Sequence, residues 1–128
     1  MAKDDVAGFG KCPFVTSQKL LQGKWSILIM HYLSEGTLRF GELQSRMPEV
    51  THSTLSAQLK RLEGEGLVDR RAYSEVPPRV EYTLTPIGAS FQHVLNSIED
   101  WGNKYIAYLN RTADADDADD AGEGAARS

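Results

Sequence analysis

One segment, residues 51–64, constrains the fold of this chain more than any other. Leu55, Leu59 and Leu62 recur at helical spacing. At about 100° per residue they fall within an arc of about 60°. Ser53, Ser56, Ala57, Lys60 and Arg61 lie on the other side, between about 100° and 240° from Leu55. A helix with so narrow an apolar stripe packs one edge on a core and offers water a small, polar and basic face. No acidic residue stands at the centre of that face; Glu63 and Glu65 come at its far end, pointing away. Small side chains let a backbone approach a partner closely, and hydroxyls and cations suit base edges and phosphates.

After Gly64-Glu65-Gly66 the pattern changes period. Leu67–Tyr73 reads as a strand, Glu75-Val76-Pro77-Pro78 as a turn, and Arg79–Leu84 alternates apolar and polar residues as a half-buried strand does. The pair predicts a hairpin carrying Arg70, Arg71 and Arg79. Upstream, Pro13 is expected to precede a first helix at 16–22, and Gly23 breaks it. Lys24–Ser34 then reads as a buried helix, capped by Gly36. Leu38-Arg39-Phe40 is a short extended piece, and 41–47 a small helix ended by Pro48. Thr51 or Ser53 caps the next helix. Thr85-Pro86 opens a long helix to about Leu109. It carries one apolar stripe through Phe91, Leu95, Ile98, Tyr105 and Leu109 and a second through Val94, Trp101 and Tyr108. Two stripes are more than one small domain needs to cover, which points to a second copy of the chain.

The chain has 128 residues, enough for one domain with a core. No apolar run approaches the roughly 20 residues that span a bilayer. The N-terminus lacks the layout of a secretory signal, and the single cysteine, Cys12, agrees with a reducing compartment, so a cytoplasmic protein is expected. The net charge of −4 lies wholly after Leu109, because residues 1–109 carry 12 basic and 12 acidic groups. The Asp-, Ala- and Gly-rich stretch 110–128 is expected to be a disordered acidic tail. Residues 1–11 are expected to form a flexible arm, leaving 12–109 as the folded domain. His31, His52 and His93 are widely spaced, so no metal site is expected, and no cofactor loop or paired nucleophile and base is visible. An enzyme is therefore not expected.

The element order is helix, helix, short strand, helix, helix, hairpin, long helix. That is a mostly α fold with a small β-hairpin: a winged helix-turn-helix, with N- and C-terminal helices free to dimerise. In this arrangement the second helix of the pair enters the major groove and the hairpin reaches phosphates or the minor groove. The candidate DNA contacts are His52, Ser53, Thr54, Ser56, Lys60 and Arg61 on the helix and Arg71 and Arg79 on the wing. The alternative is a winged-helix module that binds protein instead of DNA. Such a helix exposes large apolar anchors, and Ser53, Ser56 and Ala57 are poor ones.

Several segments also resemble one family. They are Cys12-Pro13, Gly23-Lys24-Trp25-Ser26-Ile27-Leu28-Ile29, Arg39-Phe40-Gly41-Glu42-Leu43, Leu55 through Glu63, Gly66-Leu67-Val68, Pro77 through Gly88, and Trp101-Gly102. Over residues 12–108 the chain is similar to the HxlR-type, MarR-like branch of bacterial winged helix-turn-helix regulators. The resemblance implies a homodimer on an inverted-repeat operator, acting as a repressor and held by the first and last helices. Leu20, Leu95, Ile98, Trp101, Tyr105 and Tyr108 would then lie at the seam. Some members sense oxidants, electrophiles or aldehydes through a cysteine near the N-terminus, a position that Cys12 matches. Adjacent Lys11 and the nearby helix start favour a thiolate; the other reading is a small residue packed at the seam. Trp25, Trp101, Tyr105 and Tyr108 suit either a pocket for a small-molecule effector or plain core and interface.

Overall fold

The structure, a computed structural model, describes the backbone of residues 7–122 and the side chains of residues 7–115. Its elements are α1 (Pro13–Leu20), α2 (Ser26–Ser34), β1 (Leu38–Arg39), α3 (Phe40–Arg46), α4 (His52–Gly64), β2 (Val68–Tyr73), β3 (Arg79–Leu84), α5 (Pro86–Ala89) and α6 (Gln92–Gly122). Residues up to Gln92 form one compact unit and those from His93 another. No helix among the described residues is long and apolar enough to cross a membrane.

The hairpin is part of a three-stranded antiparallel sheet in the order β1-β3-β2. Leu38 pairs with Tyr82, and β2 runs against β3 from Val68 opposite Leu84 to Tyr73 opposite Arg79. This register aligns Leu38, Val68 and Tyr82 with the helices, and all three are buried. The core beneath them joins α2, α3 and α4 through Ile29, Met30, Leu43, Leu55, Leu59 and Leu62, each with 0% exposure. The α3–α4 turn is fixed by its own bonds. Val50 N–H donates to Met47 O at 3.0 Å, and the Gln44 side chain donates to Val50 O at 2.5 Å. Met47 and Val50 are buried beneath it.

Three expectations are corrected. Pro13 opens α1 instead of preceding it, because a residue without an N–H suits the first turn. In α2 the polar residue is inside: Ser26 has 0% exposure and Ile27 38%. The helix predicted from Pro86 to Leu109 is two helices. At the break Phe91 N–H turns back three residues to Gly88 O, at 3.1 Å, which tightens the last turn of α5. The short helix is pinned to the loop after α4. Thr85 N–H donates to Leu67 O at 3.1 Å, and the Thr85 hydroxyl donates to Gly66 O at 2.6 Å.

The ends also differ from expectation. The helix does not stop near Leu109 but continues to Gly122. No glycine or proline interrupts residues 103–121, and alanines recur through 113–121, so nothing in the backbone forces a stop. In the arm, Lys11 N–H and Cys12 N–H both donate to Gly8 O, at 3.0 and 2.7 Å, so residues 8–12 make a bonded turn. Residues 1–6 and 123–128 lie outside the described residues.

Candidate nucleic-acid interface

Helix α4 starts at Thr51, whose hydroxyl accepts from Thr54 N–H at 3.2 Å. Its apolar stripe is buried, and Ser53, Ser56, Ala57 and Lys60 stand exposed on the opposite side. His52 is exposed at the first turn, and its ring lies 4.5 Å from that of Phe40, which orients it. Thr54 is half-buried, and its hydroxyl lies 2.9 Å from that of Thr51, so it serves the cap more than the outer face.

Arg61 is not on that outer face. It is half-buried and turned towards the junction of α1 and α2. One guanidinium nitrogen, Nη1, donates to Leu20 O at 3.0 Å. The other, Nη2, donates to Gln22 O at 2.6 Å, to Gln58 Oε1 at 3.1 Å and to the Ser26 hydroxyl. The long side chain reaches back across the helix to unpaired carbonyls, which a wheel of Cα directions does not reveal. Lys60 is therefore the one exposed Lys or Arg of α4.

The wing divides similarly. Arg70 and Arg71 are exposed and, among the described residues, make no ion pair. Arg79 is held between Glu75 and Glu81, 2.7 Å from each, and its guanidinium stacks 3.8 Å over the Tyr73 ring. Desolvation works against its charge, but the hydrogen bond and charge of Glu75 and the charge of Glu81 outweigh it and raise its pKa. A guanidinium so neutralised stiffens the hairpin and presents little free charge to a phosphate. Arg70 instead lines a shallow groove of 340 Å³ with Ser56, Lys60, Glu63 and Tyr82. Glu63, expected to point away, belongs to this groove: strand β2 runs beside the end of α4 and walls it in.

Of the proposed seam residues, Leu20 is half-buried and Leu95 buried. On α6, Ile98, Trp101, Tyr105 and Tyr108 are exposed by 36–64%. Trp101 and Tyr105 stack at 5.3 Å, and Tyr105 meets Tyr108 at 5.5 Å. Helix α1 buries none of its residues, and Phe14 is 83% exposed. Phe14 was not among the sequence candidates, although it is an aromatic residue at the second position of α1. Cys12 is a half-buried free thiol at the N-cap of α1. Trp25 is half-buried against the core, with the Lys24 ammonium 5.0 Å from its ring centroid.

Residues 20–110 match the family described as HxlR-like helix-turn-helix. An uncharacterised HTH-type transcriptional regulator of Bacillus subtilis, YdeP, is 35% identical over 119 residues, covering 93% of this chain and 91% of that one. The redox regulator HypR in its reduced form superposes with a TM-score of 0.73 at 31% identity, over 77% of this chain and 98% of its own. The reduced form of the B. subtilis regulator YodB superposes with a TM-score of 0.64 at 35% identity, over 73% of this chain and 93% of its own. Each of these relatives is named as a regulator. The chain belongs to the HxlR-like helix-turn-helix family of transcriptional regulators.

Proposed function

We propose that the protein binds an inverted-repeat operator as a homodimer and represses transcription, with α4 in the major groove and the β2–β3 wing on the flanking backbone. The observation that carries this reading is the exposed face of α4. Ser53, Ser56 and Ala57 are small enough for close approach, and Lys60 and Arg70 bring positive charge to one groove. The second copy is argued from α1 and α6. A helix with no buried residue, on which Phe14 stands exposed, and another with an exposed, stacked aromatic face are surfaces that a second copy would cover. Two-fold symmetry would set the two α4 helices about 34 Å apart, one turn of DNA. A gel shift with the DNA upstream of its own gene tests the reading. Salt-sensitive, saturable binding supports it, and its absence at that and neighbouring promoters counts against it.

Within this reading Lys60 and Arg79 have different jobs, and salt dependence separates them. Lys60→Ala removes one free cation from each subunit, so for the dimer the slope of log K against log salt should become shallower by about two units. Arg79→Ala removes a guanidinium already neutralised by two carboxylates. It should leave that slope unchanged and affect stability only slightly, because solvent screens the ion pairs it makes. Equal slope changes for the two variants would show that Arg79 leaves its carboxylates for DNA.

Cys12 is the proposed switch. It stands at the N-cap of the helix that the dimer would cover, and the similar regulators HypR and YodB include a named redox regulator and a diamide-treated form. With one thiol per chain, oxidation joins two subunits or adds a small thiol. Diamide should lower operator affinity of the wild type and leave Cys12→Ser unaffected. An equal response from both proteins would remove the thiol from the mechanism.

A further inference from the structure

We propose that Arg61 is a positioning residue that locks the α1–α2 junction to α4, so that the orientation of α1 sets that of the recognition helix. The proposal rests on the DNA-binding reading of α4. Its geometry stands on its own.

The last carbonyls of a helix have no partner within it. Here Leu20 O, at the end of α1, and Gln22 O, just beyond it, receive both nitrogens of the Arg61 fork. The fork is braced from its own helix by Gln58 and from α2 by Ser26. Ser26 has 0% exposure, and its hydroxyl donates to Gln22 O at 2.8 Å, which closes the loop of bonds. This accounts for a polar residue inside α2. It also accounts for Gly23. The backbone there has φ +103°, and an added Cβ would come within 2.9 Å of Gln58 Oε1 and 3.3 Å of Arg61 Nη2. Glycine thus permits both the turn and the close approach.

The lock matters because α1 has little else to fix its direction. It buries no residue, so side-chain packing contributes little. A positive fork at its C-terminal carbonyls also favours the helix dipole. Eight residues make a lever about 12 Å long. Cys12 caps one end and the Arg61 bonds hold the other. Any adduct or partner that swings the Cys12 end must strain those bonds or carry α4 with it. Arginine suits this role because its planar fork serves several acceptors at fixed angles, which a lysine ammonium does not.

The test uses the full chain and the variants Arg61→Gln and Gly23→Ala. Native-state hydrogen exchange of the α1 amides should accelerate about tenfold or more in both, while the α4 amides at Leu55–Leu62 keep their protection. Unchanged exchange in α1, or α1 and α4 accelerating together with global stability, would overturn the lock. The second readout is alkylation of Cys12 with N-ethylmaleimide. In the wild type it should weaken binding to the upstream DNA by about 5- to 150-fold, the usual span of coupling between two sites. In Arg61→Gln the alkylated and free proteins should bind alike. A purely structural Arg61 would lower affinity in both states by one factor and leave the response intact, and that result would also overturn the proposal. If the wild type binds no DNA while α1 still loosens in Arg61→Gln, the DNA-binding reading fails and the lock between α1 and α4 stands without it.

Discussion

Replacing Gly88 with alanine should destabilise the domain by about 3 kcal/mol or more, at or beyond the upper end of ordinary overpacking. A Cβ at this position would lie 2.1 Å from Leu67 O and 3.1 Å from Leu67 C. Both atoms are backbone, so no rotamer change relieves the clash. That carbonyl also accepts from Thr85 N–H, and Gly88 N–H donates to the Thr85 hydroxyl at 3.1 Å, so moving either strand of the contact breaks bonds that hold α5 to the loop after α4. Leu67 and Val68 are buried where this loop enters the sheet, so the strain passes directly into the core. Urea denaturation should show a lower midpoint with an unchanged slope. A loss below about 1 kcal/mol would mean that the close approach of α5 to Leu67 is not fixed in solution.

The largest functional effect is expected from Lys60→Glu. The side chain is exposed, so stability should change by no more than about 0.5 kcal/mol. In the groove shared with Ser56 and Arg70 the substitution replaces a cation with an anion, beside the existing Glu63. The proposed dimer would carry the change twice. At about 1–3 kcal/mol for each contact, operator affinity should fall between about thirtyfold and about ten-thousandfold. Anisotropy of labelled DNA measures the loss, and thermal unfolding checks the fold. A variant that unfolds, or that binds like the wild type, would show that Lys60 does not face the duplex.

The parts of this molecule written in local periodicity were legible in the sequence. The Leu55/Leu59/Leu62 stripe fixed which side of α4 is buried, and the alternation of 79–84 matched β3 at both ends. The parts that depend on long side chains or on neighbours distant in sequence were not. Arg61 sits on the polar arc of a helical wheel, yet its fork is spent on carbonyls about forty residues upstream, separations of 41 and 39. Arg79 looks like a free wing cation until the strand pairing brings Glu81 and the turn brings Glu75 beside it. Ser26 looks like an interruption of an apolar run, whereas it completes the Arg61 bonds. The break between α5 and α6 was missed as well: there Phe91 N–H turns back to Gly88 O, and Gly88 packs against the Leu67 carbonyl, a neighbour distant in sequence.

The acidic C-terminal stretch shows the same division. Its composition argued against a packed structure, and its side chains from Arg111 to Ala115 are indeed largely exposed. Composition says nothing against continuing a helix already begun, and α6 extends to Gly122. The net negative charge of the chain lies after Leu109, away in sequence from α4 and the wing. A neutral body with local cations is compatible with the proposed DNA binding without a globally basic surface.

On the proposed reading, the exposed face of α4, with Lys60 at its centre, meets operator DNA. The most direct measurement is the affinity of wild type and Lys60→Glu for the DNA upstream of its own gene, titrated across a range of salt concentrations. Wild-type log K should fall linearly with log salt, and Lys60→Glu should lose specific binding while keeping its fold. Wild-type protein with no salt-sensitive affinity for that DNA, or a Lys60→Glu curve that overlays the wild type's, would show that this face of α4 does not bind it.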